Sequence, residues 1–231
     1  MGKAFAAELQ RIIDSASPES RERIARDMDN LRAAGIDSFE AANSAAKDSS
    51  LEPETRNSAC WLLGQLAQKR AVASLLVAFA DPRLTWEAAK ALGVINSKRA
   101  VKPLINWLLE DHQTDQRAAA AYALGLLADE RAINPLVEVL DDPKVDPKVR
   151  GHAAEALAHS AGDRAANHLV TALKDPSPEV RFWAVFALGQ LRHQKALPEL
   201  RNLAANDKAV LTGWGKISDA AREAISNIET G

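Results

Sequence analysis

His152, Glu155 and His159 stand three and four residues apart, the spacing at which successive turns of an α-helix bring side chains onto one face. Two imidazoles and a carboxylate so placed are part of what a metal ion requires. A complete site needs further converging ligands and groups that orient them. His168 is the next candidate, on the helix that follows, and nothing in the sequence turns it toward the other three. We therefore read the trio as surface residues of their repeat and expect no metal and no cofactor.

The remaining reactive side chains lead to the same expectation. Cys60 occupies a position held by Ala89, Ala121, Ala154 and Val185 in related segments, so a buried small residue is expected there rather than a nucleophile. No glycine-rich phosphate loop, HExxH or GxSxG is present, and no catalytic residue is expected.

The bulk properties narrow the partners. Lys and Arg number 29 against 31 Asp and Glu, a formal net charge of −2, so no global field draws in a polyanion and nucleic acid is not expected. No apolar run has the length of a membrane span. The first residues resemble neither a secretory signal nor a transit peptide, and Ala6 stands where a myristoylation signal requires Ser or Thr. With a single cysteine, a soluble protein of the cytoplasm is the expectation. Aromatics are only 5% of a chain that is 47% hydrophobic and rich in Ala, which favours closely packed helices over a β-sandwich.

The elements that must carry these residues repeat. Segments "ETRNSACWLLGQLAQKRAVASL", "DQRAAAAYALGLLADERAINPL" and "EVRFWAVFALGQLRHQKALPEL" share one pattern. Anchored on Gly64, Gly93, Gly125, Ala158, Gly189 and Ser226, the copies are 29, 32, 33, 31 and 37 residues apart. Eight residues before the anchor stand Arg56, Arg117, Arg150 and Arg181, with Thr85 in the second copy. Five before stand Ala59, Ala88, Ala120, Ala153, Ala184 and Ala221. Two before come Leu62, Ala91, Ala123, Ala156, Ala187 and Ala224. Steps of three predict one face of a helix, helix A, on which small residues allow a neighbouring helix close approach and the Gly suits both close contact and termination.

A second helix, B, follows a turn and carries Leu75, Leu104, Leu136, Leu169 and Leu200. Several B helices stop at Asp-Pro, as at Asp81-Pro82, Asp142-Pro143 and Asp175-Pro176, where Pro ends the helix and Asp can cap the next helix A. The prediction is an all-α fold, an α-solenoid of about five to six helical hairpins with atypical ends. Residues 1–51 form an N-terminal cap, with Phe5, Leu9, Ile12 and Ile13 on one side of a first helix. Residues 52–207 form the repeats, and 208–231 a Trp-containing loop and a capping helix.

The run D-P-x-x-x-V-R-x-x-A-x-x-A-L-G-x-L, clearest from Asp175 onward, resembles the short HEAT-like repeat of phycobilisome-lyase-type proteins. The tetratricopeptide and ankyrin patterns do not fit. The resemblance covers roughly 52–229 and implies an inner surface made by the B helices. Their solvent-facing ridge includes Lys102, Asn106, Asn134, Glu138, Asn167, Thr171 and Asn202, a largely neutral hydrogen-bonding strip. The expectation is a non-catalytic scaffold that holds a protein partner on this ridge. The resemblance also implies an alternative, a bilin lyase or a factor of phycobilisome assembly or degradation, with a bilin or phycobiliprotein as partner. It maps no catalytic residue onto this chain. The HEAT-like deoxyhypusine hydroxylases hold iron through His-Glu pairs, and this chain has no His-Glu dipeptide.

Basic residues Arg70, Arg99, Arg131, Arg164 and Lys195 open the B helices and are expected to serve ion pairing between repeats. Phe182, Trp183 and Trp86 fall in non-adjacent repeats, so no continuous aromatic patch is expected. Trp214, between Gly213 and Gly215 in the segment that widens the last spacing, is expected to fold over the final hairpin as a lid; a binding loop is the alternative.

Overall fold

The structure, a computed structural model, describes residues 18–110, 112–160 and 162–230. The amphipathic helix expected through Phe5, Leu9, Ile12 and Ile13 lies outside them. The chain divides into two compact units, residues 1–100 and 101–231.

Unit 1 contains α1 (Pro18–Ala33), α2 (Phe39–Ala45), α3 (Pro53–Leu66), α4 (Val72–Phe79) and α5 (Thr85–Ile95). Unit 2 contains α6 (Val101–Leu109), α7 (Thr114–Leu127), α8 (Ile133–Asp141), α9 (Pro147–Ser160), α10 (Ala166–Ala172), α11 (Pro178–Gln190) and α12 (Leu197–Asn206). There follow a small antiparallel hairpin of β1 (Val210–Leu211) and β2 (Gly215–Lys216), then α13 (Ile217–Glu229). The fold is an all-α solenoid. Helices α3, α5, α7, α9, α11 and α13 are the A helices, and α4, α6, α8, α10 and α12 the B helices.

The repeated columns are the core. Ala59, Ala88, Ala120, Ala153, Ala184 and Ala221 are fully buried, as are Leu75, Leu104, Leu136, Leu169 and Leu200. Cys60 is equally buried, and burial, with the Glu87 carboxylate nearby, pushes its thiol up to about 12. That pKa keeps the thiol protonated and unreactive, as its column predicts.

Two local readings are corrected by the backbone. The anchoring Gly does not end helix A. The end lies three residues later, at Ala67, Asn96, Ala128 and Arg192, all in the left-handed region with φ between 45° and 51°. Each donates its N–H to the anchor carbonyl, Ala67 to Gly64, Asn96 to Gly93, Ala128 to Gly125 and Arg192 to Gly189. The Gly is there for close approach: a Cβ on Gly64 would lie 3.0 Å from the Ala91 Cα, and one on Gly189 would lie 2.9 Å from the Ala224 Cβ.

Nor do Asp81, Asp142 and Asp175 cap the next helix. Each accepts the N–H two residues on, from Arg83, Lys144 and Ser177 respectively, and so closes the turn itself. Two of these aspartates, and Asp207, which closes the turn after α12 in the same way, also hold helix A arginines. Arg56 reaches Asp81 at 2.6 Å, Arg150 pairs with Asp175, and Arg181 reaches Asp207 at 2.8 Å. Asp142 stands at the same offset from Arg117, but Arg117 donates to the Leu108 carbonyl instead. Hydrogen bonds from Arg83, joined by one from Arg56, hold the Asp81 carboxyl well below the usual range.

The hairpins are phased differently from the sequence reading. Within each unit, a B helix packs most closely on the A helix after it, as α4 on α5, α8 on α9 and α12 on α13. The residues between A and the following B form a 3₁₀ turn, such as Glu130–Ala132, that swings the chain away. Within unit 2 the A helices α7, α9 and α11 stack in intimate contact, while B helices α8 and α10 touch only lightly.

Candidate functional site

Close stacking of the A helices leaves one stripe of each that is buried at some positions, Ala119 and Trp183 among them, and half-buried or exposed at the others. These are the residues three and six before the anchor: Tyr122 with Ala119 on α7, Glu155 with His152 on α9, Phe186 with Trp183 on α11, and Glu223 with Ala220 on α13. Four of these eight residues, Tyr122, His152, Trp183 and Phe186, are aromatic or imidazole; Trp183 is buried and the other three are half-buried.

The rings form a chain. Tyr122 meets His152 edge-on at 6.3 Å between centroids, and His152 lies roughly parallel to Trp183 at 6.3 Å. Trp183 then meets Phe186 at 5.7 Å and Trp214 at 4.9 Å, and Trp214 meets Phe182 at 5.9 Å. Such separations are those of mutually attractive aromatic pairs. Gly151 makes room for the crossing: a Cβ there would lie 3.0 Å from the Trp183 Cδ1. The expectation of no continuous aromatic patch is thus overturned. The signal was present in the columns three and six before the anchor, and comparing only the Trp positions missed it.

Trp214 lies against the rings of Phe182 and Trp183 on α11. Gly213 and Gly215 flank it with φ of +83° and +96°, and its N–H donates to the Leu211 carbonyl at 2.9 Å. It covers the aromatic cluster incompletely, with 61% of its surface exposed. Beneath it a groove of about 420 Å³ is floored by Phe182, Phe186, Ala220 and Ala224.

Of the histidines and the carboxylate weighed as metal ligands in the sequence, only His152 and Glu155 meet. His152 Nδ1 lies 2.9 Å from Glu155 Oε2 and is occupied by that contact. His159 is exposed one turn further on, and His168 on α10 pairs instead with Asp141 at 2.6 Å. Among the described residues no group of His, Cys, Asp and Glu is arranged to hold a metal.

The B-helix ridge residues Lys102, Asn106, Asn134, Glu138, Asn167, Thr171 and Asn202 are all exposed. Lys102 and Asn106 border a groove with Pro103, Trp107 and His112, whose indole and imidazole stack at 3.8 Å. Asn202 accepts from Asn206, and Thr171 donates to the Asn167 carbonyl. Of the basic residues at the B-helix starts, Arg70 pairs with Glu40 and Arg164 with Glu130 across repeats, whereas Arg131 pairs with Asp129 in its own turn.

A family model for HEAT repeats matches residues 75–146 and 144–214. Among curated proteins no sequence match is found. Solved structures with the same fold include the complex of CpcE and CpcF of phycocyanin lyase from Nostoc sp. PCC7120, with 22% identity, 70% of this chain and 99% of that chain covered, and a TM-score of 0.56. An engineered protein matches with 24% identity over 84% of this chain and 99% of its own, TM-score 0.51. A structure of Kap95p bound to RanGDP matches with 17% identity over 98% of this chain but only 34% of its own, TM-score 0.64. No helix among the described residues is long and apolar enough to cross a membrane.

Proposed function

This chain belongs to the HEAT-repeat family, and on that premise we propose that it is a non-catalytic scaffold that binds a partner protein. The supporting observation is the ring chain that runs from Tyr122 along the A helices of unit 2 to Trp214 in the β-hairpin turn, with Trp214 exposed at one end and exposed Leu126 one turn beyond Tyr122 at the other. Aromatic side chains held rigid by their neighbours offer large contact area with little entropy left to lose, which is what anchors protein interfaces. A photo-reactive amino acid at position 126 cross-links the partner in a cell lysate on this reading, and one at position 134 on the B ridge does not. Cross-linking from 134 alone refutes the A-face assignment.

The B-helix ridge is a second reading. It is favoured by the groove beside Trp107, which Lys102 and Asn106 border. Asn134, Glu138, Asn167, Thr171 and Asn202 would continue the contact along unit 2.

A bilin lyase or phycobilisome-directed factor is the alternative function. Its support is the likeness of fold to the CpcE and CpcF complex, at 22% identity. A visible absorbance shift on mixing the chain with a bilin would favour it.

A further inference from the structure

The groove under Trp214 has a more specific chemistry than partner binding in general. Its floor is apolar, and its rim carries Lys216, Asp219 and Glu223. Asp219 is taken up by Arg222 on the same helix. Glu223 is exposed and forms no ion pair among the described residues. Glu179 is similar: its Cγ abuts Gly151 beside the Trp183 ring, and no cation of the described residues meets it. The aromatic cluster is therefore flanked by two carboxylates that no cation of the described residues meets, with Lys216 the one base among the residues lining the groove.

An aromatic face carries negative charge density and attracts a cation, the more so where water is thinned by apolar neighbours. A carboxylate beside that face adds charge of the same sense, so the complementary group is a cation next to an apolar side chain. We propose that this groove binds an arginine- or lysine-bearing segment of a partner protein. Its cation lies between Trp214 and Glu223, and an adjacent large apolar residue rests on Phe182 and Phe186. The inference rests on the reading that the A helices carry the partner site and names the chemistry of what they bind.

The test is calorimetric titration of the full chain with three short synthetic peptides that alternate Leu with Arg, Gln or Glu. The Arg-Leu peptide is expected to bind at least about tenfold more tightly than the Gln-Leu peptide, with the Glu-Leu peptide weakest and the preference reduced by added salt. Glu223→Gln is expected to weaken Arg-Leu binding about tenfold, and Trp214→Ala to remove most of it. Both positions are exposed, and unchanged circular dichroism verifies that the variants fold. Equal binding of Arg-Leu and Gln-Leu peptides, still lost in Trp214→Ala, overturns the cationic assignment and leaves the A face standing as the site. Arg-Leu binding indifferent to both substitutions, or no binding of any peptide, overturns the groove itself, while cross-linking from position 126 judges the A face separately.

Discussion

Gly125 and Ala156 meet backbone to backbone: a Cβ on Gly125 would lie 2.7 Å from the Ala156 Cα and 2.9 Å from its Cβ. The anchor column is therefore a spacing device. It draws α7 and α9 together, and that proximity brings Tyr122 and His152 within reach of each other.

Gly125→Ala should lower stability. Helix propensity gains about 1 kcal/mol, but forcing a methyl group into backbone contact costs about 1–3 kcal/mol. The net loss, about 1 kcal/mol, is measurable as a lower urea midpoint. An unchanged or raised midpoint would show that the two helices separate freely.

Arg150 and Asp175 form a pair whose side chains are 5% and 13% exposed, so removing either leaves a largely desolvated charge behind. Arg150→Ala should cost about 3 kcal/mol. Arg201→Ala, at an exposed pair with Glu229, should stay within about 0.5 kcal/mol. Denaturant unfolding of the two variants checks the contrast.

Ala128 holds a left-handed conformation at φ 45°, where its Cβ is strained. Ala128→Gly removes that strain and gives back part of it as unfolded-chain entropy, for a net gain of about 0.5–1 kcal/mol. The urea midpoint should rise. A fall would mean that the Cβ of Ala128 contributes more by packing than it costs in strain.

The lowered pKa of Asp81 makes a pH prediction. Hydrogen bonds from Arg83, chiefly, and Arg56 favour its ionised form in the folded chain. A depressed folded pKa gives stability that is fully present above the unfolded value near about 4 and is lost as pH falls through the lower folded value. Asp81→Asn should therefore be less stable than wild type at neutral pH, and the difference should shrink through that acid range. Urea midpoints compared across the titration test it.

Much of the fold was readable because burial constrains composition. The Ala columns and the B-helix Leu could be aligned by spacing alone, and all of them proved to be core. The helix ends were not readable, since Ala67, Asn96, Ala128 and Arg192 share a backbone conformation but no side-chain type. The close pairing of α8 with α9 was hidden for a related reason: the sequence shows which faces are apolar but not which neighbour covers them. At the site, Trp214 could be singled out by its flanking glycines. The ring-bearing residues could have been found in the columns three and six before the anchor, but not their contacts, because contact between repeats depends on side-chain reach across a particular helix spacing, here with Gly151 under Trp183.

The most direct test compares affinity enrichment from a native lysate by wild type and two variants that retain its circular dichroism. One carries Tyr122→Ser and Phe186→Ser on the A helices and Trp214→Ser in the turn of the β-hairpin. The other carries Asn106→Asp, Asn134→Asp, Asn167→Asp and Asn202→Asp on the B ridge. The A-face account predicts a partner retained by the ridge variant and lost by the aromatic variant. Loss from the ridge variant with retention by the aromatic variant would contradict it.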